Sequence, residues 1–236
     1  MTGVQTCALP ILIFNFFESE PDQVVQENKP PVVKLKLSPA LSSFKMNESV
    51  AYQIEVSDFE DGSTNYEEIN PREIVLHVVY NESTAPEKND QYYIEYPAIQ
   101  LLIKNGCLNC HASRDKLIGP SFDRIAGRYP ANPETIKNLT QRIKNGSSGS
   151  WGDVIMPSNP DVDEAELEKV LNWILQQKPG AKDYFLFGSS GRITFGSESI
   201  KTNSTGVYQL TATYLDHGPG TRQRGMDEIF LSKSDK

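Results

Sequence analysis

Hydrophobic and polar positions along the 236-residue chain follow two different periods. Residues 32–37, 50–56 and 73–80 are strand-like and are separated by clusters of Ser, Asn, Asp, Gly and Pro. Residues 206–214 alternate, with Tyr208, Leu210, Ala212 and Tyr214 on one face, and residues 227–232 offer one more short strand. The middle of the chain changes to a helical period. Pro97 opens a helix over 98–104 that Gly106 ends. Ile136, Leu139 and Ile143 predict a helix over 133–144, stopped by Gly146. Asp163 caps a last helix, with Glu166 three residues on and Leu167, Val170, Leu171 and Ile174 along one stripe. The pattern predicts a multidomain α plus β chain, helical in the middle and β-rich on both sides.

Three helices over about 85 residues make a thin core, which a bound prosthetic group would enlarge. Just after the first helix stands Cys107-Leu108-Asn109-Cys110-His111. Two thiols at this spacing can each form a thioether to one vinyl group of a porphyrin, and the adjacent imidazole is aimed at the iron, so the stretch reads as a c-type haem attachment site. A bare Cys-x-x-Cys also serves redox centres and half of a zinc site. Zinc would need a second Cys or His pair, yet Cys7, His77 and His217 each stand far off and alone. His77 falls on the face opposite Ile74, Leu76, Val78 and Tyr80, which predicts a solvated strand residue, and His217 sits in a Gly-rich turn.

A haem used for electron transfer often takes a methionine as its second axial ligand. Met156 is the best candidate, because Pro157 and Pro160 hold the following chain extended and present the side chain. The alternative is a core methionine filling a gap.

Residues 96–178 resemble a small bacterial class I monohaem cytochrome c, an all-α fold, through several separated motifs. The haem attachment runs from Cys107 to His111, and Gly119-Pro120-Ser121-Phe122 is similar to the family's proximal loop. The resemblance implies that the Pro120 carbonyl accepts the His111 Nδ1 proton, fixing the ring and raising its basicity. It also implies that Arg142 and Trp151 bind a haem propionate, that Asn159 helps hold the Met156 sulfur, and that His111 and Met156 ligate iron. The competing reading of Arg142 and Trp151 is a solvated charge and a packing indole.

Two flanking pieces resemble the ends of one polycystic-kidney-disease (PKD) type domain, an immunoglobulin-like β-sandwich. Residues 31–35 and 51–62 look like its opening strands, and residues 205–218 and 228–232 like its last two. The expected organisation is a doubtful N-terminus and polar linker over 1–29, the first part of the sandwich over 30–92, a cytochrome domain over 93–181, and strands completing the sandwich over 182–236. Insertion of one domain into a loop of another is physically cheap; the competing arrangement is three beads on a string. Asp58, Glu60 and Asp61 carry the hard oxygens calcium needs, although Asp-Gly turns more simply cap strands through local hydrogen bonds.

Charge narrows the partners. The net charge is −8, but residues 93–180 hold ten Lys and Arg against ten Asp and Glu, so the acidity belongs to the flanks. This argues against nucleic acid and leaves redox protein partners, with Lys104, Arg114 and Lys116 a weak candidate patch. Residues 8–17 are apolar but too short to span a bilayer, so no transmembrane segment is expected, and they lack the basic region and cleavage site of a signal peptide. Residues 1–11 are similar to a translated sequencing-adapter read, which makes Cys7 uninformative. Covalent haem attachment in bacteria takes place outside the cytoplasm, so the resemblance implies a periplasmic or extracytoplasmic surface location.

A PKD-like module carrying a cytochrome also resembles the C-terminal part of multidomain bacterial quinoprotein-dehydrogenase-like proteins. One haem c would then carry single electrons from an upstream dehydrogenase to a downstream respiratory acceptor, and the chain itself would not be an enzyme. Two alternatives stay open: a haem sensor or peroxidase-like enzyme with an open iron position, and a carbohydrate- or protein-binding sandwich with subsidiary haem. Clustering of Tyr92, Tyr93 and Tyr184 would favour the last.

Overall fold

The computed structural model describes residues 27–82, 96–196, 200 and 206–234. The predicted readings of Cys7, the apolar segment 8–17, Tyr92 and Tyr93 lie outside them. Five strands come first: β1 (Val32–Ser38), β2 (Ser43–Phe44), β3 (Ser49–Asp58), β4 (Gly62–Ser63) and β5 (Val75–Asn81). The helices follow: α1 (Pro97–Lys104), α2 (Phe122–Arg128), α3 (Pro133–Asn145) and α4 (Glu164–Ile174). A short hairpin, β6 (Ser147–Gly149) and β7 (Gly152–Met156), separates the last two helices. The chain closes with β8 (Asp183–Phe187), β9 (Ser190–Thr194), β10 (Val207–Leu215) and β11 (Arg224–Lys233).

The other nine strands form two sheets in which early and late parts of the chain are hydrogen-bonded neighbours. In the first, β1 covers one edge of β3, while β9 and β4 share the other edge. The second has the order β2-β11-β10-β5-β8. The backbone leaves it at Asn81, builds the helices, and returns in β8, where Asp183 pairs with Val79. Alternation sets the faces: along β1, Val33, Leu35 and Leu37 are buried while Lys34 and Lys36 are exposed. Ile54 and Val56 of one sheet and Leu76, Val78, Leu210 and Ala212 of the other share a single core. Phe44 is fully buried in it, 4.8 Å from the Tyr208 ring in an edge-on contact and 5.4 Å from that of Phe195.

The helices cover the outer face of the second sheet. Val75, Ile99 and Phe185 form a small buried cluster, with Tyr96, Ile103, Trp173 and Phe187 packed around it. This contact corrects the reading of His77 as solvated. His77 is 5% exposed, stacks on Phe185 at 4.1 Å between centroids, and pairs with Asp183 Oδ1 at 2.5 Å. The opposite face of β5 is also buried, at Val75 and His77, because helices lie over it, which period-2 alternation within one strand cannot reveal. Two residues of the weak candidate basic patch are already engaged within the chain. Arg114 lies 3.3 Å above the Tyr184 ring and donates to the Ala181 carbonyl at 2.9 Å, while Lys104 pairs with Glu166 at 2.5 Å. Tyr184 is itself buried, and burial pushes its hydroxyl up to about 12.

The pattern predicts three helices and misses α2, a two-turn helix too short to show a period. It also misses β8 and β9. No helix among the described residues is long and apolar enough to cross a membrane. Replacing Phe44 by Ala removes the ring that the two sheets share. Urea unfolding followed by circular dichroism at strand wavelengths is expected to show a loss of about 3–5 kcal/mol.

Candidate haem site

The site begins where α1 must stop. Gly106 has φ +66°, a backbone conformation costly for residues with a Cβ, and it turns the chain into a 3-10 turn over Cys107–Asn109. The His111 amide donates to the Cys107 carbonyl at 3.0 Å, closing the loop so that both thiols and the imidazole reach one cavity. Cys107 and Cys110 are half-buried and free, and burial raises the Cys107 thiol above its ordinary range.

Ile118 and Gly119 then fold back, their amides donating to the Cys110 carbonyl at 3.2 and 2.8 Å. This brings the Pro120 carbonyl to 2.7 Å from His111 Nδ1. A carbonyl only accepts, so Nδ1 carries the proton and Nε2 keeps its lone pair free for a metal. A Cβ at Gly119 would lie 2.5 Å from His111 Cε1 and 2.9 Å from Nδ1, so the glycine lets backbone and ring approach this closely. Phe122 lies parallel to the imidazole at 5.9 Å and meets Trp173 edge-on, tying the site to α4.

The far wall comes from α3 and the hairpin. Met156 is the last residue of β7, half-buried and paired in register with Ser147, so it sits at a strand end and not wholly in the extended loop that the prolines predict. The Asn159 amide nitrogen of the backbone donates to the Ile143 carbonyl at 2.9 Å. Its side-chain Nδ2 donates to the Pro157 carbonyl, also at 2.9 Å, bracing the loop that follows Met156. Arg142 Nη1 donates to the Tyr129 hydroxyl at 3.2 Å and Ser150 Oγ at 3.1 Å. Trp151 lies under the Arg128 guanidinium at 4.6 Å, and Arg128 donates to the Ser150 carbonyl.

All eight residues singled out from sequence, Cys107, Cys110, His111, Pro120, Arg142, Trp151, Met156 and Asn159, line one cavity of about 590 Å³. Sequence reasoning did not find Arg128, Tyr129 and Ser150, which form the rim with Arg142 and Trp151. Their only signal is proximity to α2 and the hairpin, neither of which the pattern predicts. The cavity suits haem: its volume falls in the range of small-molecule sites, Leu102, Ile125, Val170 and Ile174 give it apolar walls, two thiols stand at its edge, and guanidinium groups at the rim suit acidic substituents.

Comparison with known proteins settles the class. The cytochrome c family model matches residues 98–178. Cytochrome c-551 of Azotobacter vinelandii is 40% identical over 79 residues, covering 34% of this chain and 95% of that protein. The chain belongs to the cytochrome c family. Cytochrome c-552 of Nitrosomonas europaea is 39% identical over 75 residues, covering 32% of this chain and 73% of that protein. The solved structure of the wild-type Nitrosomonas europaea cytochrome is 38% identical, with a TM-score of 0.32, and the match covers 34% of this chain and 98% of that one. Family membership implies a single, covalently bound haem c and a role in electron transfer.

Gly119→Ala tests the cradle around His111. The added methyl group must displace the imidazole or the proximal loop. Expression with a haem-maturation system is expected to yield severalfold less haem-loaded chain than wild type, measured as haem absorbance per protein.

Proposed function

We propose that this chain is a monohaem electron carrier working in the periplasm or at an extracytoplasmic surface, with His111 and Met156 as the axial ligands. The observation that carries the reading is the Nδ1–H···O=C bond from His111 to Pro120, which keeps the Nε2 lone pair free in a cavity that Met156 also lines. Haem supplies the one-electron iron couple. Cys107 and Cys110 hold the group covalently, so it is not lost between partners. The Pro120 carbonyl fixes the imidazole tautomer and raises its basicity, while Met156, as a thioether, favours a higher potential than a second histidine would. Arg142 and Trp151, joined by Arg128, carry the acidic edge of the haem. Asn159 stiffens the methionine loop, and through it the position of Met156.

The flanking strands read as one PKD-like, immunoglobulin-like sandwich carrying the haem domain as an insertion between Asn81 and Asp183. Support comes from the direct pairing of β5 with β8 and β10. A module of this shape suits an electron-accepting unit within a larger dehydrogenase system, receiving electrons at the haem edge and passing them to a respiratory acceptor. Ile118, Val154 and Ile155 are exposed beside the cavity mouth and offer a partner an apolar surface.

Met156→Ala tests the ligand set. Wild type should show the weak far-red methionine-to-ferric-iron band and no rapid carbon monoxide binding; the variant should lose the band and bind the gas. Rapid carbon monoxide binding by wild type, with the band missing, would replace this reading with a sensor or peroxidase.

A further inference from the structure

Among the described residues, five side-chain polar atoms are sealed from solvent without a hydrogen-bond partner, and four are oxygens at one corner of the strand unit: Asn28 Oδ1, Asp58 Oδ2, Glu60 Oε2 and Asp216 Oδ2. Three contacts bring them together. The turn after β3 rests on the end of β10, because Asp61 Oδ2 accepts from the Tyr214 hydroxyl at 2.7 Å and from the His217 amide at 2.8 Å. Asn28 rests on the loop that follows, donating from Nδ2 to the Thr221 carbonyl at 3.0 Å. Gly218 has no Cβ; one placed there would stand 2.3 Å from Asn28 Oδ1. Asp216 lies in sequence between these two contacts.

Asn28, Asp58 and Asp216 each have the other polar atom of the side chain satisfied and this one left over. Asp58 Oδ1 accepts the amides of Glu60 and Asp61 at 3.0 and 2.9 Å, the local capping expected of an Asp-Gly turn, but Oδ2 accepts nothing. Asp216 is 0% exposed; its Oδ1 accepts the Gln223 amide at 2.8 Å, and its Oδ2 is left alone. Arg222 lies close, but its guanidinium donates to the backbone carbonyls of Leu215 and Asp216. A buried carboxylate oxygen without a partner is costly, and this corner of the strand unit holds three.

We propose that these four oxygens bind a calcium ion. Among the described residues no group of three or more His, Cys, Asp or Glu side chains is placed to hold a metal ion as it stands, so the carboxylates would have to draw together on the ion. The site therefore relies on the Asn28 amide oxygen, with backbone carbonyls and water filling a coordination shell of about six to eight oxygens. Mixed carboxylate and amide donors on three flexible segments suit calcium better than magnesium, which demands a rigid octahedron. The ion would pin the segment entering β1, the turn after β3 and the β10–β11 loop to one another, neutralising charge in the acidic part of the chain.

The test is thermal unfolding of the haem-loaded full chain, freed of metal by chelation and followed by circular dichroism at strand wavelengths. An affinity usual for extracellular calcium modules predicts that 10 mM CaCl2 raises Tm by about 5–10 °C. Equal MgCl2, or NaCl of matched ionic strength, should do much less. Asp58→Asn and Asp216→Asn should each lose most of the shift; where Asp216→Asn fails to fold, Glu60→Gln and Asn28→Ala carry the same test. No shift in wild type, the same shift with magnesium or sodium, or a shift retained in the variants would overturn the proposal.

Discussion

Everything around the haem cavity serves one hydrogen bond, in which His111 Nδ1 donates to the carbonyl of Pro120 at 2.7 Å. Two thioethers can tether a porphyrin, but they do not choose which imidazole nitrogen faces the iron or how the ring is turned. Pro120 makes that choice, because a carbonyl accepts only from a protonated nitrogen. The carbonyl is in turn placed by the Cys110 carbonyl gathering the amides of Ile118 and Gly119, and by a Gly119 that allows van der Waals approach to the ring. Ligand basicity, ring orientation and loop packing are thus a single constraint, spread over the eleven residues from Cys110 to Pro120.

That constraint is buttressed from outside the haem unit. Phe122 faces the imidazole on one side and meets Trp173 of α4 and Phe187 of β8 edge-on. Trp173 continues to Phe185, which stacks on His77. An unbroken series of ring contacts therefore runs from His111 into the sheet. Together with Arg114 over Tyr184, it makes the sheet a support for the helices around the cavity.

The haem attachment was readable because covalent chemistry fixes five consecutive residues, and no tertiary information is needed to recognise Cys107 to His111. Met156 was found from the prolines that follow it, Pro120, Arg142, Trp151 and Asn159 through resemblance to a family, and all line the cavity. Asn159 braces the loop through the Pro157 carbonyl, a contact that the resemblance did not imply. The strands β1, β3, β5, β10 and β11 were visible as patterned runs. The short β8 was not, although it joins both units: Tyr184 enters the core that the two sheets share while Phe185 packs on the helices. His77 failed for the same reason. A strand buried on both faces cannot be told from a half-solvated one until the covering helix is known. The role of Gly119 depends on a distance between backbone and ring, which spacing alone does not express.

Voltammetry of the haem-loaded chain on an electrode tests the central claim most directly. An electron carrier with His111 and Met156 on iron should give one reversible, one-electron wave, with a midpoint that falls when Met156 is replaced by His. A wave absent or irreversible in wild type, or one that turns into a catalytic current when peroxide is added, would contradict it.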